Sequence, residues 1–206
     1  MVPHNTFGVL TVCTGNIARS PLTQQLLLSK LHGAASQFSV TSAGTSAVVG
    51  SPMTRQAAAL SIRLGGGSTD HVARAVTAEI VDSVDLVLTA TRAHRSEIVA
   101  LLPRASRYTF TVRQFARLLD SLDASILAPV QESIPERGRR LVVEAAAQRG
   151  FLPPLAQASD DDVEDPFRLS DEVYDRVGSQ IDRATAQIAA ALVGKRPVPG
   201  GIFDGA

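Results

Sequence analysis

Short apolar runs alternate along the chain with segments whose apolar residues recur every three or four positions. The runs are rich in β-branched and aromatic residues, which predicts strands. They lie at 7–12, 38–41, 85–89 and 108–112. Leucines at helical spacing over 22–31 predict a helix between the first two strands. The alternation predicts βαβ units, and therefore an α/β fold with a central four-stranded parallel sheet flanked by helices.

Capping residues indicate where further helices begin. These starts are predicted at Ser51-Pro52, Thr77, Thr91 and Ser170. Apolar residues recur at helical spacing through the last of these helices, and Gly194 is predicted to end it.

The segment 115–160 separates the fourth predicted strand from the last helix. Apolar residues at helical spacing over 115–126 and 141–148 predict that this segment is a helical insertion. It could add packing, cover a site or bind a partner, and the sequence leaves these three roles open. We predict a single domain over 1–194, with this insertion inside it, and a disordered tail at 195–206.

Charge and composition exclude several classes of protein. In 206 residues, 20 basic and 20 acidic side chains cancel, so neither a nucleic-acid partner nor a membrane surface is predicted. No signal peptide and no apolar run long enough to span a bilayer is visible, and we expect a cytoplasmic protein without membrane insertion. The single cysteine fits a reducing compartment. The four histidines are too scattered for a metal motif, so we predict neither metal nor cofactor.

The stretch 13–21, Cys-Thr-Gly-Asn-Ile-Ala-Arg-Ser-Pro, directly follows the first predicted strand. Ser20 and Pro21 predict a helix start, so backbone N–H groups and the helix dipole would converge on an anion there. Arg19 adds a planar guanidinium that matches two oxygens of a phosphate. The same surroundings favour the thiolate of Cys13, the reactive form of cysteine. The stretch therefore predicts attack of sulfur on phosphorus.

The spacing of the other loop residues agrees with this chemistry. Gly15 allows a tight turn, and Asn16 tolerates a left-handed conformation. Ser20 carries a hydroxyl that can donate to the thiolate. The alternative, a structural cysteine buried at the end of a strand, would not require these residues at these positions.

The stretch 13–21 resembles the signature loop of the low-molecular-weight protein tyrosine phosphatases. The resemblance extends to 41–45, to 70–74 and to Asp165-Pro-Phe167, and it covers nearly the whole chain except about 115–160. It implies a doubly wound, flavodoxin-like fold. It also implies a hydrolase, of the kind found in bacteria, that removes phosphate from tyrosine on proteins through a phosphocysteine intermediate.

The resemblance also implies roles for individual residues. Cys13 is the nucleophile, Arg19 binds phosphate, and Asp165 is the general acid and then the general base. Ser42 and His71 hold Asn16 and so shape the loop. Contacts to phosphate or substrate are implied for Thr14, Gly15, Asn16, Ile17, Ala18, Ser20 and Phe167.

Asp165 ends a dense acidic run, 160–165. Such runs usually form solvated loops, and we expect the other four carboxylates of this run to be solvated. The implied role of Asp165 has a chemical reason, because a phenol with a pKa of about 10 leaves poorly unless its oxygen is protonated.

Several alternatives remain within this chemistry. The loop 46–50 lacks the aromatic residue that many members carry there, and resembles bacterial members that oppose tyrosine autokinases. The implied partner is therefore a phosphotyrosine-containing protein, for example such a kinase. An arsenate reductase would use the same loop but normally needs further cysteines. A protein-arginine phosphatase is expected to have threonine in place of Ile17. A phosphotyrosine-binding module without catalysis is disfavoured by the presence of Cys13, Arg19 and Asp165 together.

Overall fold

Four parallel strands form one sheet in the order β2-β1-β3-β4. In the computed structural model, which describes residues 6–67, 70–128 and 131–194, all four predicted strands are present. Their bounds are β1 Phe7–Cys13, β2 Phe38–Gly44, β3 Leu86–Thr89 and β4 Thr109–Thr111. This is the strand order of doubly wound, flavodoxin-like folds, as predicted, and it places the switch point beside the end of β1.

Helices cover both faces of the sheet. The α-helices within the described ranges are α1 Arg19–Lys30, α2 Arg55–Arg63, α3 Ala78–Asp82, α4 Arg92–Leu101, α5 Val112–Asp120, α6 Ala124–Leu127, α7 Ile134–Ala147 and α8 Asp171–Leu192. Short 3-10 helices lie at His32–Gln37, Pro103–Arg107 and Ala158–Asp161. No helix of the described ranges is both long enough and apolar enough to cross a membrane.

Two apolar cores result, because successive strand residues point to opposite faces. Val9 and Leu86 pack with α1, α2, α5, α7 and α8 in the larger core. Leu10 and Val87 pack with α3 and α4 in the smaller one. All four of these residues are fully buried, so the central strands are apolar on both sides.

The predicted caps Thr77 and Thr91 are confirmed, since each hydroxyl accepts a hydrogen bond from an amide in the first turn of its helix. Ser170 stands at the N-cap of α8, although its side chain does not cap the helix amides. Gly194 ends α8 with a positive φ of 73°, as predicted.

Two predicted helix starts were wrong. Helix α1 begins at Arg19, so Pro21 is its third residue rather than its first. Helix α2 begins at Arg55 behind the cap Thr54, not at Ser51. For α2 the cause is tertiary, because backbone hydrogen bonds to other segments hold the residues before Arg55. The Thr54 amide donates to Ile17 O at 2.8 Å, and Ser51 O accepts from Ala73 N at 2.9 Å.

The segment 115–160 is largely helical and packs into the larger core. Helix α5 begins directly after β4 and lies against α8, while α7 crosses β1. The contact between α7 and β1 is close: a Cβ on Gly138 would lie 2.6 Å from the Phe7 ring. Packing is thus one role of this segment, and the division into one domain with an insertion stays a prediction. The predicted tail, 195–206, lies outside the described residues.

Candidate active site

The signature loop begins where β1 ends, at the carboxyl edge of the sheet. Cys13 pairs with Gly44 at the end of β2. A Cβ on Gly44 would lie 2.3 Å from Thr14 O, so only glycine lets β2 approach the loop this closely. Asn16 has a φ of 55°, in the left-handed region predicted for it, and this turns the chain toward α1.

Neighbouring amides draw the loop carbonyls outward and leave the loop amides free. The donors are Thr45, Ser46, Val48 and Thr54, and the acceptors are the carbonyls of Cys13, Thr14, Gly15 and Ile17, at 2.8–3.0 Å. The backbone N–H groups of 14–18 donate to no other atom of the described ranges. Unpaired amides grouped before a helix N-terminus form an anion site.

Ser20 connects Cys13 to the loop. Its Oγ lies 3.0 Å from Cys13 Sγ and accepts a hydrogen bond of 3.0 Å from Asn16 Nδ2. Because the amide already donates to this oxygen, the Ser20 hydrogen can point either to the sulfur at 3.0 Å or to Ala43 O at 3.4 Å, and in the first orientation it would stabilise a thiolate. Cys13 is almost fully buried, which limits its contact with water.

Asn16 is held from three sides. Its Oδ1 accepts from Arg74 N at 2.9 Å, and its carbonyl oxygen lies 2.6 Å from His71 Nε2. Ser42 joins this network through its backbone, since its carbonyl accepts from Arg74 Nε at 2.9 Å. His71 therefore contacts Asn16 directly, whereas Ser42 is connected to Asn16 only through Arg74. Arg74 is an additional member of this network that the sequence did not predict.

Asp165 lies over the loop and faces Arg19. Its Oδ2 is 2.7 Å from Arg19 Nη2. The Arg19 side chain is only 6% exposed and also donates to Val163 O at 3.3 Å, whereas Asp165 is 54% exposed. Phe167 follows at the rim, with its amide donating to Asp165 Oδ1 at 3.2 Å.

These elements enclose a cavity of about 210 Å³. It is lined by Cys13, Thr14, Gly15, Ile17, Ala18, Arg19, Ser46, Val48, Asp165 and Phe167. Asn16 and Ser20 were also expected to contact substrate, but both are buried behind the loop. Their side chains support the loop rather than line the cavity. No group of three or more His, Cys, Asp or Glu side chains in the described ranges is arranged to hold a metal ion.

The sequence matches the family model "Low molecular weight phosphotyrosine protein phosphatase" over residues 8–149. The chain belongs to this family. The resemblance found from the sequence is thereby confirmed, and with it the expectation of a phosphatase enzyme.

Individual relatives agree with this assignment. The chain is 26% identical over 185 residues to the low molecular weight protein-tyrosine-phosphatase Etp of Escherichia coli K12, covering 90% of this chain and 94% of Etp. It is 36% identical over 102 residues to the probable phosphatase EpsP of Ralstonia solanacearum, covering 50% and 68%. The fold matches the YwlE arginine phosphatase from Geobacillus stearothermophilus with a TM-score of 0.64 at 24% identity, covering 91% and 93%.

His94 is a buried neighbour of the phosphatase loop that sequence reasoning missed. Its Nε2 lies 2.8 Å from Thr14 Oγ1, and its Nδ1 lies 2.8 Å from Thr91 Oγ1. Burial, and then the nearby Arg19 guanidinium, lowers the pKa of His94 below its ordinary value. The neutral ring therefore links the phosphate loop to the start of α4. The sequence did contain a signal for His94: it lies three residues after Thr91, the helix cap that follows β3, and so at the same edge of the sheet as Cys13.

The expectation that four carboxylates of the acidic run are solvated was wrong for Asp161 and Asp162, whereas Glu164 is exposed as expected. Asp161 is buried and accepts two hydrogen bonds from Arg117, at 2.8 and 3.2 Å. Asp162 accepts from the backbone amide of Arg92 at 2.8 Å. Val163 N then donates to Ala90 O at 2.8 Å. These contacts fasten the run to α4 and α5 and so fix the approach of the chain to Asp165.

Proposed function

We propose that this phosphatase hydrolyses phosphotyrosine on proteins through a phosphocysteine intermediate. One observation carries the proposal: Cys13, Arg19 and Asp165 meet at one small cavity with residues whose backbone amides are free, namely Thr14, Gly15, Ile17 and Ala18. A nucleophile, an anion site and a proton donor are the parts that phosphoryl transfer to sulfur requires.

In the first step the phosphate oxygens accept hydrogen bonds from Arg19 and from the free loop amides that face the cavity. The phosphate thereby takes Arg19 donors away from Asp165, which faces the leaving oxygen. The Cys13 thiolate attacks phosphorus, the S–P bond forms and the P–O bond to tyrosine breaks. Asp165 gives its proton to the phenolic oxygen as that oxygen leaves.

In the second step water hydrolyses the phosphocysteine. Asp165, now a carboxylate, accepts a proton from the water as its oxygen attacks phosphorus. The S–P bond breaks, inorganic phosphate is released, and the Cys13 thiolate is restored. The Ser20 hydroxyl, 3.0 Å from the sulfur, stabilises that leaving thiolate.

Two apolar walls of the cavity favour phosphotyrosine over phosphoarginine. Ile17 is β-branched and stiff, and it offers no hydrogen-bond partner to a guanidinium. Burying the N–H groups of a phosphoarginine against it would cost roughly 1–3 kcal/mol for each unpaired group. Phe167 supplies a ring that can stack on the phenol.

The loop across the cavity supports a protein substrate. Val48, half-exposed, stands where many members have a large aromatic residue, so a small aryl phosphate gains less contact there. We propose that selection depends on a whole phosphotyrosine-containing protein, for example a bacterial tyrosine autokinase, and that the enzyme works in the cytoplasm. A reducing compartment would keep the single cysteine, Cys13, reduced.

A substrate panel tests the class of substrate. The purified protein is assayed without metal on a phosphotyrosine peptide, on phosphoarginine and on arsenate, the last with a small thiol as reductant. We expect kcat/KM for phosphotyrosine to exceed that for phosphoarginine by at least about tenfold, or about 1.4 kcal/mol of transition-state discrimination. Ile17→Thr should narrow this gap because it supplies a hydroxyl.

The matched control is Ile62→Thr, the same change at an exposed isoleucine of α2. It should leave the ratio of the two kcat/KM values unchanged. Equal or faster turnover of phosphoarginine by the unmodified protein would assign it to the arginine phosphatases instead. Turnover of arsenate alone would support the reductase.

A further inference from the structure

A second cavity, of about 360 Å³, lies between α4, α5 and the chain after α7. It shares no lining residue with the catalytic cavity. Four arginines line it: Arg92, Arg95, Arg117 and Arg149. Asp161 is the one carboxylate among its described lining residues, and Arg117 already holds it by two hydrogen bonds. The cavity therefore carries an excess of positive charge.

Arg92 Nε lies 3.5 Å from Asp162 Oδ1, so Arg95 and Arg149 are the two lining arginines without a carboxylate partner in the described ranges. Arg95 Nε donates to Thr109 O at 3.0 Å, and Arg149 donates to Thr109 O and Ser106 O, both at 2.5 Å. Backbone carbonyls are neutral, and neither arginine forms a salt bridge with a carboxylate of the described ranges. Burial, and then the charge of Arg95, lowers the pKa of Arg149 to about 10.

Two buried side-chain atoms of residues that line this cavity have no hydrogen-bond partner in the described part of the chain. They are Arg149 Nε, a donor, and Gln114 Oε1, an acceptor. Buried polar groups are normally paired, so unpaired ones at a cavity indicate a site that a ligand completes. A phosphate monoanion suits both atoms, because its oxygens accept from the guanidinium while its P–OH can donate to the amide oxygen.

The other residues that line this cavity indicate the chemistry of the ligand. Leu118, Leu152 and Leu155 contribute apolar surface next to the arginines. Arginine is suited to bind phosphate through its fork of N–H donors. We propose that this cavity binds a small phosphate-bearing molecule, with its phosphate on Arg95 and Arg149 and a compact apolar body against the leucines. The proposal does not depend on the phosphatase activity.

Equilibrium dialysis with radiolabelled inorganic phosphate tests this site by counting bound phosphate. The unmodified protein should bind two phosphates for each chain, one in each cavity. Arg19→Ala should lose the catalytic one and keep the other. Arg95→Gln should show the reverse, with affinity for the second phosphate reduced by at least about tenfold, or about 1.4 kcal/mol.

Arg107→Gln is the matched control, since it removes the same charge from an exposed arginine that does not line the cavity. It should keep both phosphates. Arg149→Gln is the second variant, and thermal unfolding checks that each variant is folded. The Arg149 guanidinium packs on the ring of Phe110, so removing it could prevent folding. If Arg149→Gln does not fold, Arg95→Gln decides the outcome. A single phosphate on the unmodified protein, or two on Arg95→Gln, would overturn the proposal.

Discussion

At the scale of single residues, the ion pair between Arg19 and Asp165 is the contact that we expect phosphate binding to change. Arg19 is buried but Asp165 is half-exposed, and ion pairs open to water contribute only about 1 kcal/mol or less. A phosphate dianion surrounded by the loop amides offers Arg19 more charge and more acceptors than one carboxylate does. We therefore expect substrate binding to release Asp165 from Arg19, as its proposed role in proton transfer requires.

Asp165→Asn tests the role of this residue as the general acid. Because only poor leaving groups need an early proton, hydrolysis of phosphotyrosine should fall by about 10²-fold or more, whereas hydrolysis of an activated aryl phosphate should fall much less. The ratio of the two rates is the measurement. Asp175→Asn, a remote exposed change on α8, serves as the control. An equal fall for both substrates would assign Asp165 to positioning the loop.

His94 gives a prediction about pH and stability. Burial lowers its pKa in the folded protein, whereas in the unfolded chain the pKa returns to about 6.5. Below that pH the unfolded chain takes up a proton that the folded protein resists, so the free energy of unfolding falls. The contribution is fully present above about pH 6.5 and is lost as the pH falls through the folded pKa.

Urea unfolding at about pH 7.5 and about pH 5 measures this effect, since the two values bracket the ordinary pKa of histidine. His94→Gln should lose less stability than the unmodified protein between these pH values. His32→Gln changes an exposed histidine and should behave like the unmodified protein. An identical pH dependence for His94→Gln and the unmodified protein would contradict the account.

Single residues also differ in how far the sequence reveals them. Cys13 and Arg19 could be predicted because the chemistry of their loop is written in nine consecutive residues. His94 could not, because it meets Thr14 from a position 80 residues away along the chain. Arg74 acts on Asn16 through a backbone amide, a contact that residue type does not encode.

At the scale of elements, the packing of α7 on β1 depends on a glycine within the helix. Gly138 leaves room for the ring of Phe7, which is fully buried and held edge-on against Phe38 at 6.2 Å. A ring fixed in this way cannot move aside for a larger neighbour. The segment that carries α7 is therefore fitted to the sheet rather than attached to its surface.

Gly138→Ala should lower the free energy of unfolding by about 1–3 kcal/mol, the usual cost of overpacking a core. Helix propensity alone predicts the opposite, a gain of about 1 kcal/mol. Urea unfolding gives the sign. Gly33→Ala, at a position where a Cβ would meet no atom within 4 Å, is the control and should cost little. If Gly138→Ala raised the free energy of unfolding, the ring of Phe7 would have to move aside, which would contradict this account.

The sequence predicted the features of helices and loops that local hydrogen bonding determines, and it missed those that tertiary contacts determine. The caps Thr77 and Thr91 follow from local hydrogen bonding and were predicted. The start of α2 was placed too early, because Ser51 is held by Ala73 and Thr54 is the residue that caps the helix. The burial of part of the acidic run was missed for the same reason. Its partners are arginines of α4 and α5, and the sequence does not show which arginine meets which carboxylate.

At the scale of the whole molecule, the parallel sheet assembles the site from distant parts of the chain. The carboxyl ends of β1, β2 and β3 lie at one edge, which brings together Cys13, the loop after Gly44, and His94. The alternation of strands and helices was enough to predict this edge as the site. The position of Asp165 was not predictable in this way, because it depends on a loop that is fastened to two helices.

The central claim is that phosphate passes from tyrosine to Cys13. The most direct test mixes the protein with a phosphotyrosine peptide, stops the reaction within milliseconds in alkaline denaturant, and measures the mass of the peptide that contains Cys13. We predict added phosphate on Cys13 during turnover, and neither phosphate nor turnover with Cys13→Ala. Steady release of phosphate with no phosphorylated Cys13, or by Cys13→Ala, would contradict the account.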